Sequence, residues 1–161
     1  MTDIICSTNN HIFTYRVAGI LIDDGKVLLQ STSDASGFAF PGGHVEFGET
    51  GEQALLREFK EEMDVDIEVK GLEWVNEVFF SWGGKPCQQI CFYYRIVLKI
   101  GKIPLTGQFY GEEYCPGRQE NIEFHWIPLA KSKDLVIYPS EAPNLLRNIG
   151  KGIKHFISRK E

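Results

Sequence analysis

"PGGHVEFGETGEQALLREFKEEMDVDI", residues 41–67, carries six Glu in a stretch that otherwise reads as a tight turn leading into an amphipathic helix. Thr50, followed three residues later by Gln53, predicts a capping box and a helix over roughly residues 50–63. Each helical residue advances about 100°, so with Glu58 at zero Glu62 falls about 40° to one side and Glu61 about 60° to the other. The three carboxylates therefore share a face. Leu55, Leu56, Phe59 and Met63 fill an adjoining arc that would pack on a sheet. Carboxylates this close repel one another, and a bound divalent cation would offset that. A solvated charged face is the competing reading. Against it, Lys60 is the only lysine nearby, and Pro41-Gly42-Gly43 makes a tight turn able to bring bare carbonyls or amides to a ligand. Oxygen-only ligands suit Mg²⁺ or Mn²⁺ rather than zinc. Arg57 stands one turn before Glu61, where it can pair with a carboxylate and set its direction.

Outward from the helix, the pattern is mostly strand. "IFTYRVAGILIDDGKVLLQ" predicts two strands around an Asp24-Gly25 turn. "GFAFPGG" is a short apolar strand stopped by Pro41 and two glycines. "IEVKGLEWVNEVFFSW" and "CQQICFYYRIVLKI" form a long hairpin through Gly83-Gly84-Lys85. Gly101 to Glu120, rich in Gly and Tyr, is the longest candidate loop. "IEFHWIPL" is a further strand, and "SEAPNLLRNIGKGIKHFIS" is expected to be a terminal helix weakened by Gly150 and Gly152. The fold class expected is α+β, an α-β-α sandwich of a mixed β-sheet flanked by helices, with residues 1–161 as one domain.

The chain has 161 residues, 43% apolar and 24% charged, enough for a core without staples. A net charge of −5 argues against stable nucleic-acid binding, which wants a basic face. No basic start precedes a sustained apolar run and no run approaches a membrane span, so a cytoplasmic chain without membrane contact is expected. Cys6, Cys87, Cys91 and Cys115 form no CxxC pair and show no ligand spacing to His11, His44, His125 or His155. They are expected as free, buried or half-buried thiols.

Gly43, five residues, Glu49, seven residues, Arg57-Glu58-Phe59-Lys60-Glu61-Glu62 and then an apolar Val65 resembles the Nudix box, G-x5-E-x7-R-E-U-x-E-E-x-G-U. With each fixed type at roughly 6% of an average protein, six matches in register arise by chance roughly once in twenty million starting points. The preceding "FPGG" looks like the family's lead-in. One position departs: Asp64 stands where the box has its second glycine. That site is a left-handed helix cap, where Asp is a tolerated alternative, so the departure should touch stability rather than chemistry.

The resemblance implies a Nudix-like fold and a hydrolase that uses divalent metal and water to cleave a nucleoside diphosphate linked to another moiety. Carried over by position, Glu58, Glu61 and Glu62 become metal ligands, with one of them, most often at the Glu58 position, also assisting proton removal. Glu49 supports the metal cluster, Arg57 orients carboxylates, and the Gly42 carbonyl matches a further ligand. Mg²⁺ or Mn²⁺ is the implied cofactor and a nucleotide-type small molecule the implied substrate; a homo-oligomer stays open. Glu120, six residues before Trp126, matches an acidic residue that completes the metal shell in some members, with Glu123 its competitor. A non-catalytic Nudix-like nucleotide-sensing module is the alternative, but such modules commonly lose box glutamates, and here all are present.

The substrate is less legible. No proline near residues 80–82 of the kind typical of the ADP-ribose subgroup is present, nor a diagnostic NADH or coenzyme A pattern. Candidates for base stacking are Phe38, Phe40, Trp82, Tyr93, Tyr110 and Tyr114, with core packing competing at each. Tyr110 and Tyr114 are favoured for their Gly-rich surroundings. Arg95, on the strand face of Tyr93, could meet a phosphate.

Overall fold

A computed structural model describes residues 2–32, 36–100, 103, 108–115 and 118–160, with backbone alone for 108–115 and 118–121. In chain order the elements are β1 (Ile5–Ser7), β2 (Ile12–Asp23), β3 (Lys26–Ser31), β4 (Phe38–Ala39), β5 (Gly42–His44) and α1 (Gly51–Met63). They continue with β6 (Asp66–Trp82), β7 (Lys85–Ile100), β8 (Gln108–Cys115), β9 (Arg118–Pro128), β10 (Ile137–Tyr138), α2 (Ala142–Leu145) and β11 (Lys154–Arg159). Strands dominate, and the sheet is mixed, in the order β10-β4-β3-β2-β7-β6-β11. β2 runs parallel to β7 and β11 parallel to β6, while the β2–β3, β6–β7 and β8–β9 pairs are antiparallel hairpins.

β2 divides the interior. Its apolar residues alternate between faces, as strand side chains must. Val17 and Leu21 join Leu55, Phe59, Val45, Ile96 and Phe124 under α1. Ala18 and Ile20 join Phe40, Trp74, Tyr93, Ile137 and Leu146 on the other side. α1 thus covers one face, and the short helical pieces after residue 128 cover part of the other. This is the expected sandwich with a reduced second helical layer.

α1 starts and stops as its sequence predicts. Thr50 accepts from the Gln53 N–H at 3.2 Å and the Gln53 side chain accepts from the Thr50 N–H at 2.8 Å. Asp64 closes the helix at φ 53°, its N–H donating to the Lys60 carbonyl at 3.0 Å. Lys60 turns towards this end, pairing with Asp64 at 2.8 Å and Asp66 at 3.7 Å.

Two expectations fail. The stretch read as the longest loop contains β8 and the start of β9, a hairpin that sets Tyr110 opposite Glu123 and Glu113 opposite Glu120. Glu120 therefore belongs to a strand, not a loop. The expected terminal helix is only α2 and a 3-10 turn over Leu146–Asn148; the chain then passes Gly150 at φ 81° and Gly152 at φ 102° and becomes β11. Those two backbone conformations are closed to a continuing right-handed helix. The outer edge of β6 offers instead a ladder from Trp74 to Phe79, with Phe156 meeting the Trp74 ring at 6.5 Å.

Cys6 is exposed, whereas Cys87 and Cys91 are buried, and all three are free thiols. Burial pushes the Cys91 thiol up to about 11. Because the thiolate is the nucleophile, a chromogenic disulfide reagent should titrate one fast thiol in folded Cys115→Ser protein and release the other two only on denaturation. Fast native labelling at Cys91, read by peptide mass mapping, would contradict this packing.

Candidate active site

The acidic face of α1 is organised by one cation. Arg57 donates through Nη2 to Glu49 Oε1 at 2.7 Å and through Nε to Glu49 Oε2 at 3.2 Å, a two-pronged grip. Its Nη1 reaches Glu58 at 2.8 Å and Glu61 at 3.3 Å, and Nη2 also donates to the His44 carbonyl at 3.1 Å. Glu49 is fixed a second time by the Glu46 N–H at 2.8 Å. Burial pushes the Glu49 carboxyl up, but the Arg57 hydrogen bonds, the Glu46 N–H and the Arg57 charge together hold it below the usual carboxylate range.

Glu58 sits deeper. Burial raises its carboxyl, against the pull of Arg57 and Arg16, and neighbouring Glu61 raises it further. The carboxyl lies so close to Gly43 that a Cβ there would collide with it. A Cβ on Gly42 would collide with the Val17 carbonyl, because β5 pairs tightly with β2 at this point. The glycine pair is thus required by two close approaches rather than by turn flexibility. Glu62 is 6% exposed, an expensive position for a carboxylate. Glu61, with its side chain 60% exposed, stands at the rim.

Arg16 was not singled out from the sequence. Its Nη2 donates to the Gly42 carbonyl at 3.1 Å, and its charge reaches both Glu58 and His44. The only local signal is a lone cation inside the apolar run "TYRVAGIL". Burial first, and Arg16 second, lower the His44 ring to about 4, so it is neutral at physiological pH. Trp82 lies parallel to that ring with centroids 5.9 Å apart.

Beyond Arg16 opens a cavity of about 410 Å³ on the face of the sheet away from α1, lined by β2, β6, β7 and the segment from Tyr138 to Glu141, with Arg159 and Lys160 at its edge. None of this C-terminal contribution was legible beforehand. Phe40 lines the cavity but is 2% exposed and meets the rings of Trp74 and Tyr93 edge-on, so it offers an edge of the core rather than an open stacking face. Arg95 lies outside the cavity lining and reaches Glu73 at 3.5 Å. The side chains of Tyr110, Tyr114 and Glu120 lie outside the described residues; the β8 backbone runs beside α1. Glu123 is taken up by His125 at 2.9 Å.

Among the described residues, no three His, Cys, Asp or Glu side chains converge as a finished metal site. Arg57 draws Glu49, Glu58 and Glu61 onto its own fork. Glu58, Glu61, Glu62 and the Gly42 carbonyl would make an all-oxygen donor set of the kind a hard divalent cation takes, and the Gly43 gap already admits the Glu58 carboxyl.

Residues 13–147 match the NUDIX domain family, and the chain belongs to that family. Over 59 residues it is 48% identical to an ADP-ribose pyrophosphatase of Methanocaldococcus jannaschii; the match spans only 35% of this chain and 35% of that relative. A NUDIX hydrolase from Nitrosomonas europaea superposes with a TM-score of 0.61 over 91% of this chain and 78% of its own, at 17% identity. An ADP-ribose pyrophosphatase from Streptococcus suis superposes with a TM-score of 0.57 over 91% of this chain and 98% of its own, at 13% identity. At such identities the structural likeness concerns the fold. Among the described residues no helix is long and apolar enough to cross a membrane.

Arg57→Lys should retain charge but lose the fork. The expected cost is about 2 kcal/mol, or a thermal midpoint lowered by roughly 4–8 °C, in metal-free buffer. An unshifted midpoint would mean that the Arg57 network contributes nothing to folding.

Proposed function

We propose that this chain is a metal-dependent pyrophosphohydrolase that cleaves a nucleoside diphosphate linked to another moiety, with ADP-ribose the first substrate to test. The observation that carries the reading is the cage around Glu58: a carboxylate pressed against Gly43, steered by Arg57 and flanked by Arg16 at the mouth of a cavity. The name of the Methanocaldococcus jannaschii relative favours ADP-ribose, although the subgroup proline expected near residues 80–82 is missing.

Glu58, Glu61, Glu62 and the Gly42 carbonyl would hold Mg²⁺ or Mn²⁺. When bound, the ion neutralises phosphate charge and makes water more acidic. In the hydrolysis, a water oxygen forms a bond to one phosphorus, the bridging P–O bond breaks, and the water's proton passes to a carboxylate, for which Glu58 is the candidate. Arg57 keeps that carboxylate aimed by holding it from the side. Glu49 keeps Arg57 aimed in turn. Arg16, between cavity and carboxylates, is placed to meet a phosphate oxygen. The nucleotide-sensing alternative would leave these carboxylates without a task.

Glu58→Gln and Glu62→Gln should each lower turnover of ADP-ribose in Mg²⁺ by at least about a hundredfold. Melting temperature should not fall, because a repelling charge is removed. Near-native turnover of either variant at saturating Mg²⁺ would rule out the assignment; tight nucleotide binding with no cleavage across a panel of nucleotides would favour the sensing module.

Glu120 is the remaining candidate ligand, and the engagement of Glu123 with His125 favours it. Glu120→Gln should raise the Mg²⁺ concentration needed for half-maximal rate with little change in melting. An unchanged Mg²⁺ dependence, beside a crippled Glu123→Gln, would move the role to Glu123.

A further inference from the structure

The cavity beyond Arg16 has a floor that does not behave like ordinary core. At about 410 Å³ it is of small-molecule size. Ala18, Phe40 and Tyr93 form an apolar and aromatic base, and Trp74 backs it, in ring contact with both Phe40 and Tyr93. Asn76 lies among them, 1% exposed, on a strand paired on both sides with β7 and β11. It is one of the residues that line the cavity, and neither Nδ2 nor Oδ1 has a hydrogen-bond partner. The Tyr93 hydroxyl lies near enough to feel the carboxamide, but no bond of ordinary geometry closes between them.

A buried carboxamide with nothing to bond is costly, and an apolar residue of the same shape would pack here at less cost. Its neighbours Phe40, Trp74 and Tyr93 would accept such a replacement. What Leu cannot supply is a coplanar donor and acceptor. That pair complements the adjacent donor and acceptor on the edge of a nucleobase, as Asn does with N6 and N7 of adenine. Phe80 and Tyr138, also in the lining, bring aromatic rings to the cavity, with Lys160 over one face of Tyr138. Arg16 joins the same cavity to the Gly42 carbonyl, so a base on the floor leaves its phosphates on the side of Glu58.

We propose that Asn76 reads the hydrogen-bonding edge of the substrate's nucleobase on the floor of this cavity, and that the 6-amino edge of adenine is an edge it accepts. The inference rests on the pyrophosphohydrolase reading for its substrate class, but its test requires no turnover. The rim of the pocket is built by the C-terminal segment, from Tyr138 to Glu141 and from Ser158 to Lys160. Lys160 is itself held over the Tyr138 ring at 3.5 Å.

The full chain should be titrated by calorimetry with AMP and with purine riboside monophosphate, the same nucleotide lacking the 6-amino group. Neither contains a pyrophosphate. The unmodified protein should bind AMP at least about tenfold more tightly than the analogue. In Asn76→Leu the two affinities should converge to within about twofold, AMP losing more than the analogue, which gives up only the ring-nitrogen bond. Equal affinities in the unmodified protein, an AMP preference that survives in Asn76→Leu, or equal loss of both ligands in that variant would each overturn the proposal. Should Asn76→Leu fail to fold, Asn76→Asp keeps the shape and the acceptor for the 6-amino group while losing the donor to the ring nitrogen, so it must weaken the analogue and still prefer AMP; an analogue bound as before, or a lost AMP preference, would overturn the proposal. An intact AMP preference without ADP-ribose cleavage would count against the hydrolase reading alone; cleavage with equal affinities would count against Asn76 alone.

Discussion

Everything on the acidic face depends on one guanidinium. Glu49, Glu58 and Glu61 converge on Arg57, which also ties α1 to β5 through the His44 carbonyl. Without it three carboxylates would spread into solvent, each the others' repulsion. With it, one of them is held inward against Gly43, where burial raises its carboxyl. A planar fork with five donors can do this where a lysine ammonium cannot. The arrangement also explains why no finished metal site is seen among the described side chains: their shared counter-charge at present is a guanidinium.

β2 does the second part of the organising. One face of the strand packs under α1 and the other faces the cavity, so the two halves of the site lie on opposite sides of a single layer of backbone. Arg16 crosses between them by reaching the Gly42 carbonyl. The close pairing of β5 with β2 excludes a side chain at residue 42 and brings that carbonyl within reach. A side chain at Gly42 would push the segment off the strand, and one at Gly43 would displace the Glu58 carboxyl. The geometry of a few backbone atoms therefore links the cavity to the charged face.

The readings that held were short-range. The Thr50–Gln53 capping box, the left-handed Asp64, the Asp24-Gly25 turn and the Gly83-Gly84 turn each depend on residues within a few positions of one another. Those that failed were decided by distant partners. Residues 154–159 have enough polar alternation for either state once Gly150 and Gly152 interrupt the helix, and only the free edge of β6 makes them a strand. Residues 108–115 looked like loop because Gly and Tyr break the apolar pattern, yet β9 supplies a complete ladder. Arg95, read as a candidate for a phosphate, lies within 3.5 Å of Glu73 across the β6–β7 pair.

The sequence by itself determined the helix, its caps, the common face of Glu58, Glu61 and Glu62, and through the box spacing the family. These follow from a 3.6-residue period and from contacts made within one or two turns. Only the tertiary structure decided that Arg16 stands beside that face, that the last residues of the chain complete a cavity, and that Asn76 lies buried there without a partner. Those facts arise where β2, β6, β7 and β11 meet, and pairings between strands far apart in the chain leave little imprint on local periodicity.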